Sequence, residues 1–192
     1  MRTHVLHIYH QGLHQRTKRA LSTDKETTLY TFEQKRKSGS NFTSTPHVRI
    51  YNGLLSTEQK NLQGVIDFYG SAISLEIHGQ PRIVMSTTGS MTTRAHEYKS
   101  VALPGRTLKW KKHGFWSRGD WICEDQHGEI VARLKRSGLS VSKTGTFELG
   151  PLVEEGGNDA MIEIVAGGVA LIELRKKQDL ESRGDVEGGS GY

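Results

Sequence analysis

The sequence predicts a mainly β protein with one helix, in which short antiparallel strands form a sandwich or barrel and an apolar helix follows them. From His47 to Leu149, segments typical of strands succeed one another at intervals of roughly 8 to 12 residues, with turn residues between them. Residues Thr3–Tyr9 and Thr28–Phe32 are further strand candidates ahead of this series. The segment Asp159–Lys177 departs from the pattern, because apolar residues occupy most of its positions.

Apolar and charged residues alternate within these segments, which assigns each strand a buried face and a wet face. In TLKWKK, which begins at Thr107, leucine and tryptophan alternate with lysines. Successive side chains of a strand point to opposite faces, so one face is predicted to be buried. Asp125–Gly128 separates DWICE from EIVARLKR and offers a glycine for positive φ. We therefore expect these two segments to pair as an antiparallel hairpin.

Residues Asp159–Lys177, DAMIEIVAGGVALIELRKK, are predicted to form a helix that is buried on all sides. The apolar residues cover nearly every angle of a helix, and such a helix must be enclosed by other elements. Asn158 or Asp159 can cap its N-terminus, Glu163 lies in the first turns, and the basic run Arg175–Lys177 suits the C-terminal end of the helix dipole.

The same segment permits other interpretations. The uncharged run Ile164–Ile172 is shorter than the roughly 20 residues that a bilayer requires, which argues against a membrane span. A pair of strands turning at Gly167–Gly168 is the stronger competitor, because both flanks are rich in β-branched residues. Residues 1–177 are expected to form a single domain, and the polar, glycine-rich residues 178–192 a disordered tail.

Composition places the chain among ordinary globular proteins. It has 192 residues, of which 34% are hydrophobic and 24% charged, and its formal net charge is +5. This mild excess of positive charge permits acidic partners without requiring them. Cys123 is the single cysteine, so there is no internal disulfide, and the polar N-terminus does not have the pattern of a secretory signal. The expected location is therefore cytoplasmic, with peripheral attachment to a membrane as one variant.

Three motifs resemble the tubby C-terminal-like superfamily. They are LKWKK (Leu108–Lys112), DWICEDQHGEIVARL (Asp120–Leu134) and the apolar segment Asp159–Lys177, within a likeness that runs from about Thr28 to Lys177. The chain is most similar to small fungal proteins of that group that are related to the LURP-one-related proteins and the phospholipid scramblases. The resemblance implies a closed or nearly closed antiparallel β-barrel of about 12 strands around a buried C-terminal hydrophobic helix.

The resemblance also implies a kind of ligand, because tubby proteins hold phosphoinositides with basic residues of the barrel. Those basic residues do not align individually with this chain. The palmitoylated cysteine cluster and the calcium-binding segment of the scramblases have no counterpart here. Function therefore has to be inferred from the residues of this chain.

A set of basic residues near the predicted hairpin forms the candidate binding site. Its members are Lys109, Lys111, Lys112, Arg118, Arg133, Lys135 and Arg136. If their strands pair, these residues form one cationic patch of the kind that holds phosphate headgroups, and Trp116 could lie at a membrane interface beside it. The competing interpretation is a solvated basic rim that is balanced by Glu124, Asp125 and Glu129.

Other chemistry-bearing residues favour structural roles. In a strand, His4 and His10 would lie on one face and His7 on the other, so we expect these residues and His14 not to form a metal site. Cys123 alternates with a tryptophan on the predicted buried face, which favours a core thiol over a nucleophile. The sequence contains no P-loop, dinucleotide fingerprint or Gly-x-Ser-x-Gly elbow, so neither catalysis nor a cofactor is expected.

The function predicted from the sequence is therefore that of a non-catalytic binding module. The favoured partner is an anionic phospholipid headgroup or a membrane surface that meets the basic patch. The alternative is an intracellular protein-interaction or scaffolding domain that uses exposed loops such as Gln34–Pro46. Nucleic acid is not an expected partner, because the series of aromatic residues that stacks on single-stranded bases is missing.

Overall fold

The computed structural model describes residues 4–11, 17–35, 47–54, 61–89, 94–113, 120–137 and 142–187. These residues form twelve strands and two helices: β1 (His4–Gln11), β2 (Thr17–Leu21), β3 (Thr28–Lys35), β4 (His47–Asn52), β5 (Leu62–Tyr69), β6 (Ala72–Ile77), β7 (Ile83–Thr88), β8 (Ala95–Lys99), β9 (Thr107–Lys112), β10 (Trp121–Asp125), β11 (Ile130–Arg136), β12 (Lys143–Leu149), α1 (Pro151–Glu155) and α2 (Gly157–Glu187).

The strands close into a barrel in the order in which they occur along the chain. Each strand pairs antiparallel with the next, and β12 closes the barrel by pairing with β1, with His4 opposite Leu149. The hairpin predicted between β10 and β11 has Trp121 opposite Leu134 and Cys123 opposite Ala132. The predicted fold class, a closed antiparallel barrel of about 12 strands with a C-terminal helix, is confirmed.

Helix α2 occupies the interior of the barrel. Every residue from Ile162 to Leu174 is buried, which confirms the prediction of a helix enclosed on all sides and excludes the strand pair turning at Gly167–Gly168. We call the end of the barrel at which β1 begins and β12 ends the lower end. There the Tyr30 hydroxyl donates a hydrogen bond of 2.6 Å to Oδ1 of Asn158. The C-terminal half of α2 leaves the barrel at the opposite, upper end.

The helix is longer than the sequence predicted. It begins at Gly157, so Asn158 lies inside it instead of capping it, and it continues to Glu187, beyond the predicted end at Lys177. Residues 178–187, expected to be disordered, are therefore helical. Their polar composition is compatible with both states, and a helix already nucleated inside the barrel extends at little further cost. Residues 188–192 lie outside the described part of the chain.

The two glycines at the centre of α2 lie against an aromatic pair on the barrel wall. The rings of Trp110 and Phe147 pack edge to face, with their centroids 6.4 Å apart. A Cβ atom at Gly168 would lie 2.5 Å from Cζ of Phe147, whereas a Cβ at Gly167 would lie 3.2 Å from Nε1 of Trp110. The absence of a side chain at Gly168 therefore allows the helix backbone to pack directly on these rings.

We expect Gly168→Leu to prevent folding and Gly168→Ala to destabilise the protein by roughly 1–3 kcal/mol, the range typical of an overpacked core. Without the clash, alanine in a helix interior would stabilise by about 1 kcal/mol relative to glycine. Urea denaturation measures both effects. Gly167→Ala is the matched control, because its Cβ meets its neighbour at a longer distance. A Gly168→Leu protein as stable as the wild type would contradict the close approach.

Candidate functional site

Four of the predicted basic residues lie on the outer surface of neighbouring strands. Lys109 and Lys111 of β9 and Arg133 and Lys135 of β11 are exposed, and β10 lies between the two strands. We call these four residues the outer patch. Arg118 and Trp116 lie outside the described residues.

Carboxylates are interleaved with the outer patch. Nζ of Lys111 lies 2.7 Å from a carboxylate oxygen of Glu124, and Nζ of Lys135 lies 2.5 Å from one of Glu148. Lys109 lies opposite Glu124 on the neighbouring strand β10 and opposite Glu97 on the other neighbour, β8. The strands thus bring the predicted cations together, but their charge is partly balanced in place. Exposed pairs of this kind contribute little stability, typically below about 1 kcal/mol.

The balancing residues are only partly those expected from the sequence. Glu124 does pair with the outer patch. Asp125 and Glu129, in contrast, face Arg106 at the lower end of the barrel, where the Asp125 carboxylate is hydrogen-bonded to the Arg106 guanidinium. The pKa of Asp125 is lowered, because backbone N–H groups of Glu129 and His127 and the Arg106 side chain bind its charged form and outweigh the effect of burial.

Lys112 and Arg136 belong to a different surface. They continue the inward-facing series of their strands, after Trp110 in β9 and after Leu134 in β11, and so point to the upper mouth of the barrel. Lys112 lines a cleft of about 140 Å³ between the barrel rim and α2, which we call the upper cleft. Its lining residues are Arg94, His96, Lys112, Trp121, Leu171, Leu174, Arg175 and Gln178.

The upper cleft concentrates positive charge. Arg94, Lys112 and Arg175 come from three separate parts of the chain, and none of the described residues that line the cleft carries a carboxylate. The pKa of Lys112 is lowered by burial and by the charges of Arg175 and Arg94, which together outweigh the opposing effect of Asp179. Arg175 has one carboxylate nearby, that of Asp179, 3.8 Å away and exposed to solvent. These cations therefore repel one another in a partly dehydrated setting.

His96 is the buried titratable residue of the upper cleft. It lies on the inner face of β8, 1% exposed, with its ring 5.9 Å from that of Trp121. Its Nδ1 is 3.5 Å from Oγ1 of Thr87. Burial and the charge of Arg94 lower the pKa of His96 to about 4, so the imidazole is neutral at pH 7.

A buried ion pair fixes α2 near the upper end. Lys18, on the inner face of β2, donates a hydrogen bond to Glu173 of α2, and both side chains are only 2% exposed. Lys176 lies 3.9 Å from the same carboxylate. The pKa of Lys176 is lowered, because burial and the charges of Lys18 and Arg136 outweigh the attraction of Glu173. Cations therefore outnumber the single carboxylate in this group.

A second buried glutamate fixes α2 lower in the barrel. Glu163 is fully buried, and its Oε1 accepts a hydrogen bond of 2.6 Å from the Ser100 hydroxyl. Its Oε2 accepts bonds of 3.1 and 2.9 Å from the backbone N–H groups of Val101 and Ala102. The sequence predicted only a favourable interaction of Glu163 with the helix dipole, whereas the structure gives this carboxylate three hydrogen-bond donors.

The buried partners of Glu163 and Glu173 were not predicted from the sequence, although the sequence contains one signal of them. Glu163 and Glu173 are the two acidic residues within a helix segment that is otherwise apolar on all sides. Because a charge inside such a helix must have a buried partner, the two residues could have prompted a search for donors on the strands. No local signal distinguishes Lys18 from other lysines.

The remaining chemistry-bearing residues occupy structural positions. Cys123 is fully buried, as predicted, and burial raises the pKa of its thiol well above the usual range. Leu6 and Ile8 of β1 face the core, which leaves His7 on the outer side, as the alternation predicted. Among the described residues, no three His, Cys, Asp or Glu side chains are grouped so as to hold a metal ion. His14 lies outside the described residues.

A larger cavity, of about 640 Å³, opens at the lower end of the barrel. Leu6, Tyr30 and Met161 contribute apolar surface, and Asn52 and Asn158 contribute polar groups at its edge. It does not have the convergent charges of the upper cleft. We therefore take the smaller upper cleft, where three cations adjoin a buried histidine, as the candidate functional site.

We expect Glu173→Gln to destabilise the protein by about 3–5 kcal/mol, because it leaves Lys18 buried without a counter-charge. Replacing both residues, Lys18→Met with Glu173→Leu, should restore most of that loss, since the pair is replaced by apolar side chains of similar volume. Urea denaturation of the single and double variants measures the difference. A double variant as unstable as Glu173→Gln would contradict the assignment of the cost to an unpaired buried charge.

His96 should make the protein less stable in weak acid. Its pKa in the folded state, about 4, is below its unfolded value of about 6.5, so the unfolded state binds a proton first as the pH falls. The stability that the neutral ring provides is present above pH 6.5 and is lost as the pH falls toward 4. This corresponds to about 2 kcal/mol between pH 7 and pH 5. Denaturation at both pH values, with His96→Gln as the control, tests it; equal losses in the two proteins would refute it.

Within the described residues, no helix has both the length and the apolar character needed to cross a membrane. Comparisons of the chain with protein-family models, with curated proteins and with solved structures find no significant match.

Proposed function

We propose that this protein is a non-catalytic, cytoplasmic binding module that attaches peripherally to membranes by recognising an anionic lipid headgroup at the upper end of its barrel. One observation carries the proposal. Arg94, Lys112 and Arg175 converge on a cleft whose lining, within the part of the chain that the structure describes, contains no carboxylate. An anionic group bound there would add to the counter-charge of Asp179, which lies beside Arg175.

The energetic state of the cleft supports an anionic ligand. Cations that face one another repel, and burial together with the charges of Arg175 and Arg94 lowers the pKa of Lys112, although its side chain remains exposed. A phosphate group would relieve the repulsion and accept charge-assisted hydrogen bonds. The two arginines are suited to this role, since a guanidinium can donate two parallel hydrogen bonds to one phosphate.

The surroundings of the cleft support a membrane as the source of that group. Lys18, Arg136 and Lys176 add positive charge near the same end of the barrel, where the described carboxylates include Glu173 and Asp120. Basic residues close to an anionic leaflet contribute roughly 1 kcal/mol each, and their effect declines within a Debye length of about 8–10 Å. A membrane that faces the upper mouth would meet these groups together.

The outer patch is a secondary surface in this proposal. Glu124 and Glu148 already neutralise part of its charge. It adjoins the upper cleft through β9, where Lys111 points outward and Lys112 points to the mouth. Its cations would therefore assist long-range attraction more than they would hold the headgroup.

Vesicle flotation tests the proposal. The wild type should float with phosphatidylcholine vesicles that contain phosphatidylserine or a phosphorylated phosphatidylinositol, and not with phosphatidylcholine alone. Replacing Arg94, Lys112 and Arg175 together by Gln should weaken binding on the order of 100-fold, at about 1 kcal/mol for each charge. The matched control replaces Lys109, Lys111, Arg133 and Lys135 by Gln, and it should weaken binding less although it removes more charge.

Either of two outcomes would overturn the proposal. One is a wild-type protein that ignores anionic vesicles. The other is a cleft variant that binds them as strongly as the wild type while its melting temperature shows that it is folded.

A protein-interaction module is the alternative function. The exposed apolar side chains of Tyr69 and Val84, on the outer surface of β5 and β7, are the observation that favours it. Residues 36–46, which make up most of the loop Gln34–Pro46 predicted for this role, lie outside the described part of the chain. A defined partner that still binds the cleft variant, and that is lost on Tyr69→Ser with Val84→Ser, would favour this alternative.

A further inference from the structure

We infer that the upper cleft binds one tetrahedral oxyanion group, a phosphate or a sulfate, and that His96 becomes protonated and donates a hydrogen bond to it, so that binding takes up a proton. This inference rests on the proposed function, because the same cleft is the anion site. Beyond the proposed function, the inference specifies the size of the bound group, a fourth residue that contacts it and a dependence of binding on pH.

The dimensions of the cleft limit the ligand. Its volume is about 140 Å³. A protein cavity of about 150 Å³ accommodates benzene, which has six heavy atoms. A tetrahedral oxyanion has five heavy atoms and fits, whereas a sugar ring with several phosphates does not. The cleft would therefore hold one charged group of a larger molecule, or a free anion.

The hydrogen bonds of His96 leave its ring able to donate a hydrogen bond to a ligand. The polar contact recorded for it within the described residues is Thr87, whose Oγ1 is 3.5 Å from Nδ1. That distance is at the outer limit of a hydrogen bond. The Thr87 hydroxyl already donates its proton to the carbonyl of Ser71 at 2.9 Å. Among the described residues, no strong hydrogen-bond partner thus competes with an anion for the N–H groups of the ring.

The charges around His96 decide its protonation. Arg94 precedes β8, Lys112 ends β9 and Arg175 comes from α2, while the neighbours on β7 and β10, Thr87 and Trp121, are uncharged. The carboxylate near this group, Asp179, lies 3.8 Å from Arg175. Before an anion binds, the net positive field and burial keep the ring neutral.

A bound anion reverses both effects. It cancels the repulsion from the three cations, and it offers an acceptor to the imidazolium. The pKa of His96 in the complex must then be higher than its value of about 4 in the free protein. By linkage, anion affinity rises as the pH falls between these two pKa values, by up to about tenfold per pH unit, and levels off below pH 4.

Calorimetry with inorganic sulfate tests the inference, because sulfate stays fully ionised over this range and phosphate does not. Titrations at pH 7, 6 and 5, each in two buffers of different ionisation enthalpy, give both the affinity and the number of protons taken up. We expect affinity to increase by up to about tenfold per pH unit and proton uptake to approach one at pH 5. His96→Gln should take up almost no protons when it binds sulfate and should show a far smaller increase in affinity toward pH 5.

Two controls separate the other titrating groups. Asp179→Asn removes the carboxylate of the cleft region, and the steep pH dependence should persist in it. Replacing the outer patch by Gln should leave the number of protons taken up with sulfate unchanged. If His96→Gln does not fold, the buffer dependence of the wild-type heat alone measures proton uptake and decides the question.

The outcomes distinguish this inference from the proposed function. Sulfate binding without proton uptake, or no sulfate binding at any pH, overturns the role of His96 even if vesicle binding holds. Sulfate binding with proton uptake in a protein that ignores anionic vesicles upholds the inference and identifies a free oxyanion compound, instead of a lipid, as the source. Displacement of the protein from vesicles by sulfate at pH 5 places both ligands in the same cleft.

Discussion

The closed barrel imposes one constraint on everything inside it, which is that its interior must be filled. Twelve strands paired in a ring have no free edge, but their inward side chains alone do not occupy the centre, and α2 does. A helix in that position is removed from water along its whole buried length. Any polar group on it must therefore find a partner on the wall. Glu163 finds Ser100 and its backbone neighbours, and Glu173 finds Lys18.

These two carboxylates determine where the functional residues of α2 arrive. They are separated by about 15 Å along the helix axis, so together they fix both its depth and its rotation in the barrel. The close packing of Gly168 on Phe147 lies between them and adds a third fixed point. With the helix held in this way, Arg175 reaches the rim beside Arg94 and Lys112. The upper cleft thus depends on contacts made deep in the core.

Local sequence patterns predict the fold better than they predict the candidate functional site. Alternation in TLKWKK predicts which residues of β9 face inward, and continuous apolarity predicts the burial of α2. The same alternation separates Lys112 from Lys111, so the predicted patch could have been divided into an outer and an inner part from sequence alone. Arg94 and Arg175 could not be placed beside Lys112, because their meeting depends on strand order and on helix depth. The length of α2 beyond Lys177 was also inaccessible, since polar residues are compatible with helix and coil.

The upper end of the barrel holds two charged groups, a buried ion pair and the three cations of the upper cleft. Their difference explains why the ion pair is given a structural role and the cleft a functional one. Lys18 and Glu173 satisfy one another, and buried pairs of this kind orient elements more than they stabilise them. Among the described residues, Arg94, Lys112 and Arg175 face one another beside the exposed Asp179, and burial together with the charges of the two arginines lowers the pKa of Lys112. Local repulsions of this kind concentrate at sites where a ligand offsets them, which is the reason to look for an anion in the upper cleft.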